Sequence, residues 1–515
     1  MNSGLKSYAN AVKSLRMIKR FSSNVRKEKH VKSFDDIPGP KSFPIIGTLY
    51  QYFPFIGKYN FEKLHLNGAL KLERYGPLVR EAVVPGVNVL WVFRPEDIEE
   101  IFRMENRERG LHPQRRSHLA LEKYRIDRPG VYNTGGLLPT NGPDWWKIRR
   151  EFQKGLSRPQ NVRSYLGETD NVVREFVHLS VEGKHEDFLP LLSRLYLELT
   201  CLVAFDVRLD SLSSKEMRQD SRSSKLIDAA NSTNSAILKL DNGPRLWRFF
   251  DTPLYKKLCK AQSFMEEVAV EMVTQKIESM KTNSLSDKQS LLEMYLTNPV
   301  LDKKDVIGMA CDMLLAGIDT TTNSTSFALY HIAKSSRVQE KLHEEASSLL
   351  PLKSDKINAD VLNKATYTKA VIKEMFRMNP ISVGVGRILQ ADTILGGYQV
   401  PKGTVIVTQN QVTCRREEYF DDPNEFKPER WLRESSAAPA TPYNPFLVLP
   451  FGHGARSCIA RRLAEQNMQI LLLRICRDFQ FSWEGKDLDC VSLLINLPDA
   501  PIKMSFHHRN KNISR

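Results

Sequence analysis

The stretch PFGHGARSCIARRLAE, from Pro450 to Glu465, gathers chemically capable residues at a suggestive spacing. Cys458 follows two glycines, Gly452 and Gly454, and an arginine, Arg456, and precedes a basic segment, Ile459 to Arg474, that reads as a helix. The glycines permit a tight turn in which backbone amides approach the sulfur without side-chain obstruction. Amides aimed at sulfur, with a helix start behind it, favour the thiolate, the form that acts as nucleophile or metal ligand. Phe451 can shield that thiolate, and Arg456 is placed to meet an anionic group on whatever the sulfur binds. The competing reading is a buried structural thiol at a helix start, the commoner role of an isolated cysteine.

The pattern F-x-x-G-x-R-x-C is more specific than a lone cysteine. It suits a thiolate ligand to heme iron, the sulfur donating electron density that promotes O–O cleavage and the arginine pairing with a heme propionate. At this point the chain resembles the heme-binding loop of the cytochrome P450 family. It departs at Ala460, where the family usually has glycine, a residue still small enough to lie against a porphyrin. The resemblance covers the chain from about residue 36 and implies a mainly α fold with small β-sheets in a single large heme-enclosing domain. It also implies heme b (iron protoporphyrin IX) on Cys458, and O2 as co-substrate.

Further motifs match the family in order. In LLAGIDTTTNS the small pair Ala316 and Gly317 precedes Asp319 and Thr320 within a long helical pattern. Small and hydroxyl residues loosen the local backbone ladder and leave a groove beside the axis. In the family that groove holds dioxygen; Thr320 would hydrogen-bond it, and Asp319 would relay the protons for O–O scission. In KEMFR, Glu374 and Arg377 are three apart and share a helix face. The resemblance pairs them with Arg430 of FKPERW in a lock of two guanidiniums around one carboxylate. In NGPDWWKIRR, Trp145 and Arg149 share a face at i, i+4, where both can donate to a propionate; Trp146 and Arg150 offer the competing register. Arg387, after NPISVGVG, resembles another propionate partner, against the plainer reading of a surface arginine on an edge strand.

The branch of the family is readable too. Lys369 and Lys373 form one basic face at i, i+4, and Arg461 and Arg462 follow the cysteine. In mitochondrial members these positions dock an acidic [2Fe–2S] ferredoxin, adrenodoxin-like, that is reduced by its NADPH reductase. DNGPRLWRFFDTPLYKKL mixes Trp247, Phe249, Phe250 and Tyr255 with basic flanks, which suits a membrane interface; the resemblance to mitochondrial members implies shallow contact with the inner membrane, and packing under a loop is the alternative. The stretches GTLYQYFPFIGKYNFEKLH and VPGVNVLWVFRPEDIEEIFR resemble arthropod ecdysteroid C22-hydroxylases, which implies a steroid hydroxylase of moulting-hormone biosynthesis. A heme-thiolate isomerase, a non-catalytic heme or sterol carrier, and a mitochondrial member acting on xenobiotics or another steroid carbon are the rival readings.

The elements that must position these residues follow from periodicity. The body reads mostly as helices, with the strongest apolar spacing from about Asp302 to Glu345, and strand-like alternation near residues 78–93 and 397–409. The chain of 515 residues carries seven scattered cysteines with no C-x-x-C pair, which argues against a disulfide framework or zinc ribbon and for a reducing compartment. Of the +15 net charge, nine bases against one acid fall before Asp35. There Leu5, Tyr8, Val12, Leu15 and Ile18 share a helical face opposite Lys6, Lys13 and Arg20, the pattern of a mitochondrial transit peptide. We read residues 1–33 as that peptide and 34–515 as the monooxygenase domain, joined by the stiff connector IPGPKSFPIIG. No run of apolar residues is long enough to span a bilayer, and no aromatic-basic nucleic-acid module accompanies the charge.

Overall fold

The computed structural model describes residues 31–509 apart from 85–86, 106–109, 111, 244, 283–288 and 433–441, so all but the last three residues of the transit peptide read at 1–33 lie outside the described residues. Helices dominate. Those that build the site are α1 (Leu64–Tyr75), α2 (Leu119–Ile126), α3 (Gly142–Leu156), α4 (Leu189–Phe205), α5 (Arg222–Asn242), α6 (Pro253–Thr282), α7 (Lys303–Ala333), α8 (Ser336–Leu349), α9 (Thr366–Met378) and α10 (Arg461–Asp478).

The helix α7 is the axle. Its 31 residues span roughly 45 Å at the standard rise, starting from a capping box between Asp302 and Asp305. Helices α4, α5, α6 and α9 pack around it. Its first half, through Ile318, joins one apolar cluster with α2, α3, α5 and α6, whereas Phe327 to Ile332 joins a second with α4, α8, α9 and α10. Between the two lies the polar run from Asp319 to Ser326, and there the hydroxyls of Thr320 and Ser324 donate back to the carbonyls of Ala316 and Thr320 at 2.6 and 2.7 Å. The apolar spacing read as one run to Glu345 is in fact two helices: Ser335 caps α8, its hydroxyl accepting from the Val338 amide, and this ends α7 at Ala333.

The main sheet is small. Strands β1 (Leu78–Val84) and β2 (Val87–Val92) pair antiparallel; β4 (Val405–Thr408) lies parallel to β2, and β3 (Gly386–Ile388) closes the edge antiparallel to β4. The parallel pair needs a crossover, and the chain supplies nearly the whole helical body as that connection. The segment read as a free connector is instead packed on this sheet. Ile37 is buried, the carbonyl of Pro38 accepts from the Arg80 amide at 2.9 Å, and Lys32 already pairs with Tyr398, so the folded body takes in residues before 34.

Candidate active site

Both loop glycines sit at left-handed backbone angles, Gly452 at φ +68° and Gly454 at φ +71°, where a side chain would be strained. The amide of Cys458 donates to the Phe451 carbonyl at 2.8 Å, which closes the loop, and Phe451 meets Phe376 of α9 edge-on at 5.1 Å. The helix behind the cysteine starts at Arg461, two residues later than the sequence suggests. Of the seven cysteines Cys458 alone is exposed; yet protein surrounds it, and burial pushes its thiol pKa up. The two facts agree if the sulfur opens on an internal cleft rather than on bulk water. The upward push outweighs the Ala460 amide and the Arg149 and Arg461 charges, which corrects the expectation that amides and a helix start hold a free thiolate. A metal on the sulfur would hold it as the thiolate despite that burial.

On α7 the residues Met313, Ala316, Gly317 and Thr320 are half-buried in a helix otherwise buried from Val306 to Ile332. Their spacing puts them on one face. Met313 belongs to the same apolar cluster as Leu138, Ala455 and Ile459 of the cysteine loop, and Leu494, all partly buried. The small pair serves packing as well as space: a Cβ on Gly317 would come within 2.7 Å of Thr200 on α4. Asp319 points elsewhere. It is buried, receives the Asn234 amide of α5 at 2.7 Å, and has its pKa raised by burial to about 6.

Cations crowd the cleft. Arg115, Arg149, Arg387 and Arg456 act on one another electrostatically; burial first, then these neighbours, lowers Arg456 to about 8 and Arg115 to about 10. Arg456 donates to the carbonyls of Pro113 (3.0 Å) and Thr140 and to Asn141 Oδ1 (2.9 Å), and its guanidinium lies 4.4 Å over the Trp145 ring. Arg115 donates to the Leu138 carbonyl at 3.0 Å. Among the described residues neither makes an ion pair. Arg387 is 5% exposed on edge strand β3, paired with Glu105 and donating to the His453 carbonyl at 3.0 Å, so it is not a surface arginine. Trp145 and Arg149 face inward and Arg150 outward, which settles the register; Arg149 donates to the Ser457 carbonyl at 2.7 Å. Glu105 pairs with Arg387, and Asp312 and Glu122 interact with Arg115 and Arg456; a dianionic group such as the two propionates of heme fits a cluster so rich in guanidiniums.

Below the loop, Glu374 is fully buried and takes donors on both oxygens. Arg377 binds it at 2.8 and 2.9 Å, Arg430 at 3.0 Å, the Trp431 indole at 2.9 Å and the Lys427 amide at 2.9 Å. Arg377 also donates to the carbonyls of Cys414 and Pro423 at 2.8 and 2.7 Å. Lys369, Lys373, Arg461 and Arg462 are all exposed. Lys373 lies 4.1 Å over the Trp431 ring, and its pKa is lowered by burial and then by Arg461, so these two cations share one field.

Sequence reasoning missed Arg115, Glu105 and the asparagines of α5. The adjacent bases in HPQRR were the available signal for Arg115; nothing local marks the others. It also passed over a second cysteine cluster. His65 of α1 bridges Asp489 (3.1 Å) and Cys490 (3.4 Å) through opposite ring nitrogens, with Lys63 on Asp489 at 2.8 Å. Each of His65, Asp489 and Cys490 brings one ligand atom within 4.8 Å of the other two.

The cytochrome P450 family profile matches residues 37–506 of this geometry. The chain belongs to the cytochrome P450 family. The mainly α, single-domain fold and a heme held by a cysteine thiolate, with O2 as co-substrate of a monooxygenase, come with that membership. Among cytochromes P450 it is 50% identical over 498 residues to Cytochrome P450 302a1, mitochondrial, of Drosophila melanogaster, covering 96% of this chain and 99% of that protein. It is 33% identical over 482 residues to Probable cytochrome P450 301a1, mitochondrial, of the same species (91% and 86%). To Cytochrome P450 12b1, mitochondrial, of Drosophila acanthoptera it is 31% identical over 472 residues (88% and 85%).

Proposed function

We propose that Cys458 is the axial ligand and that the protein is a mitochondrial steroid hydroxylase, oxidising C22 of an ecdysteroid precursor in moulting-hormone biosynthesis. The observation that carries the site is the open sulfur of Cys458 in a cleft that also holds the half-buried α7 stripe and the four arginines. The mitochondrial names of the relatives support the compartment, and the likeness of residues 47–65 and 84–103 to ecdysteroid C22-hydroxylases supports the substrate.

Heme bound through that sulfur supplies O2 activation and the insertion of one oxygen atom into a C–H bond. Arg115, Arg149, Arg387 and Arg456 would neutralise its propionates, and Phe451 would keep water from the thiolate. Ala316 and Gly317 leave room beside α7. Thr320, now donating to the Ala316 carbonyl, can turn its hydroxyl toward dioxygen. Asp319, with its pKa near 6, can give and regain a proton around neutral pH. A rigid sterol would bind mainly by apolar burial, at about 25 cal/mol per Å² before costs.

Electrons enter through the basic face. Lys369, Lys373, Arg461 and Arg462 would seat an acidic [2Fe–2S] ferredoxin with its NADPH reductase behind it. Lys373→Gln combined with Arg461→Gln should raise the KM for reduced ferredoxin about tenfold and flatten its salt dependence, with steroid affinity unchanged. Steady-state kinetics over an ionic-strength series reads this; an unchanged slope removes these residues from docking.

The protein would lie on the matrix side of the inner membrane. No helix among the described residues is long and apolar enough to cross a membrane. Leu246, Phe249 and Phe250 are exposed, as are Ile45, Phe55 and Ile56. Trp247 and Tyr255 do not share that role: they stack at 5.7 Å and are buried, the Trp247 indole donating to the Leu240 carbonyl.

The deciding experiment supplies NADPH, reductase and ferredoxin to the purified protein with a panel of ecdysteroid precursors. A product one oxygen heavier, hydroxylated at C22, is expected by mass spectrometry. Hydroxylation elsewhere would reassign the substrate, and an isomer or no turnover would favour the isomerase or carrier readings.

A further inference from the structure

The carboxylate of Asp319 is met by α5 rather than by its own helix or the cysteine loop. Asn234 Nδ2 donates to Oδ2 at 2.7 Å and also reaches the Leu315 carbonyl at 3.4 Å. Asn231, in the orientation in which its amide donates, lies 2.9 and 3.0 Å from the two carboxylate oxygens. The two asparagines are three residues apart and so share one face of α5. Asn234 is buried and Asn231 is open, so the pair leads from an accessible surface to an acid that is 3% exposed. Asparagine in a helix interior is a poor helix former, and an apolar side chain at Asn234 would pack against α7 without a desolvated amide. The cost is tolerated where the amide has a partner, and here the partner is Asp319. Thr320 faces the other way, its hydroxyl on the Ala316 carbonyl. In this conformation the acid and the hydroxyl are not joined.

We propose that Asn231 and Asn234 are positioning residues for Asp319, holding its carboxyl group against α5 and thereby making proton delivery depend on how α5 lies on α7. This rests on the reading of Asp319 as the residue that passes protons. The overall reaction consumes one O2, two protons and two ferredoxin electrons for each hydroxyl inserted, with one water released. Asp319 gives up its carboxyl proton toward the Thr320 side, is left as a carboxylate stabilised by the two amides, and takes a proton back from solvent by way of open Asn231. The protein ends each cycle with the proton count it began with. Burial raises its titration and the Asn234 amide lowers it, the turned Asn231 amide being the second donor on the carboxylate; among the described residues no charged side chain of α4, α5, α6 or α7 acts on it.

The test compares the parent enzyme with Asn231→Ala and with the double variant Asn231→Ala and Asn234→Leu. Amide donors favour the charged carboxylate, so their loss makes Asp319 hold its proton to higher pH. The infrared carboxyl band that disappears in Asp319→Asn should titrate about one pH unit higher in the double variant, as should the alkaline limb of kcat. Product per NADPH should fall severalfold, with hydrogen peroxide making up the difference. If the double variant fails to fold, Asn231→Ala, at an open position, should show the same changes in smaller measure. An unmoved band and unchanged product yield in the folded variants would overturn the proposal. The infrared titration is made on resting enzyme, so it reports on the amides even if no steroid is turned over, an outcome that would count against the functional reading alone.

Discussion

Cys458→Ser will fold, but its reduced carbon monoxide complex will lack the red-shifted absorption of thiolate-ligated heme, and steroid hydroxylation will be abolished. The loop should survive, because its closing hydrogen bond is made by the backbone amide at position 458 and its turns by Gly452 and Gly454. The arginine cluster beside the loop is untouched. What is lost is sulfur itself. A serine hydroxyl in so enclosed a site stays neutral and cannot supply the electron density that drives O–O cleavage. The reduced-minus-oxidised difference spectrum under carbon monoxide decides the matter; a surviving red-shifted band would mean that another of the seven cysteines, Cys490 among them, binds the iron.

Glu374→Gln is expected to cost about 3–5 kcal/mol of stability, the penalty for leaving a buried charge without its partner. Arg377 and Glu374 are both fully buried, and Arg430 is 4% exposed. A glutamine would keep the shape but turn an amide NH2 toward two guanidiniums, and the Trp431 and Lys427 donors would lose an anionic acceptor. Because Arg377 also ties down the carbonyls of Cys414 and Pro423, the damage should spread to the chain that leads into the cysteine loop. Denaturant midpoints and heme content measure it. A variant as stable and as red as the parent would show that hydrogen bonding, not charge, holds this region.

What was legible in the sequence is local. The loop Phe451 to Cys458 needs glycine where the backbone is left-handed, and that demand is written in the residue type. Glu374 and Arg377 meet because residues three apart share a helix face, so the core of the lock could be read from spacing, whereas Trp145–Arg149 and Trp146–Arg150 have the same spacing and only burial tells them apart. The strands near residues 78–93 and 397–409 show the same legibility with period two.

Everything that depends on what the rest of the chain brings close had to wait for the fold. Arg115 joins Arg149, Arg387 and Arg456 from a distant loop; Asn231 and Asn234 find Asp319 across two helices; Trp247 and Tyr255 turn inward while Phe249 and Phe250 turn out. The protonation of Cys458 is the clearest case. Its neighbours along the chain favour the thiolate, and the enclosing protein reverses the balance by desolvation. Spacing along a chain fixes which groups share a turn of helix, whereas burial and charge fields sum over every element that packs nearby, and that sum exists only in the folded molecule.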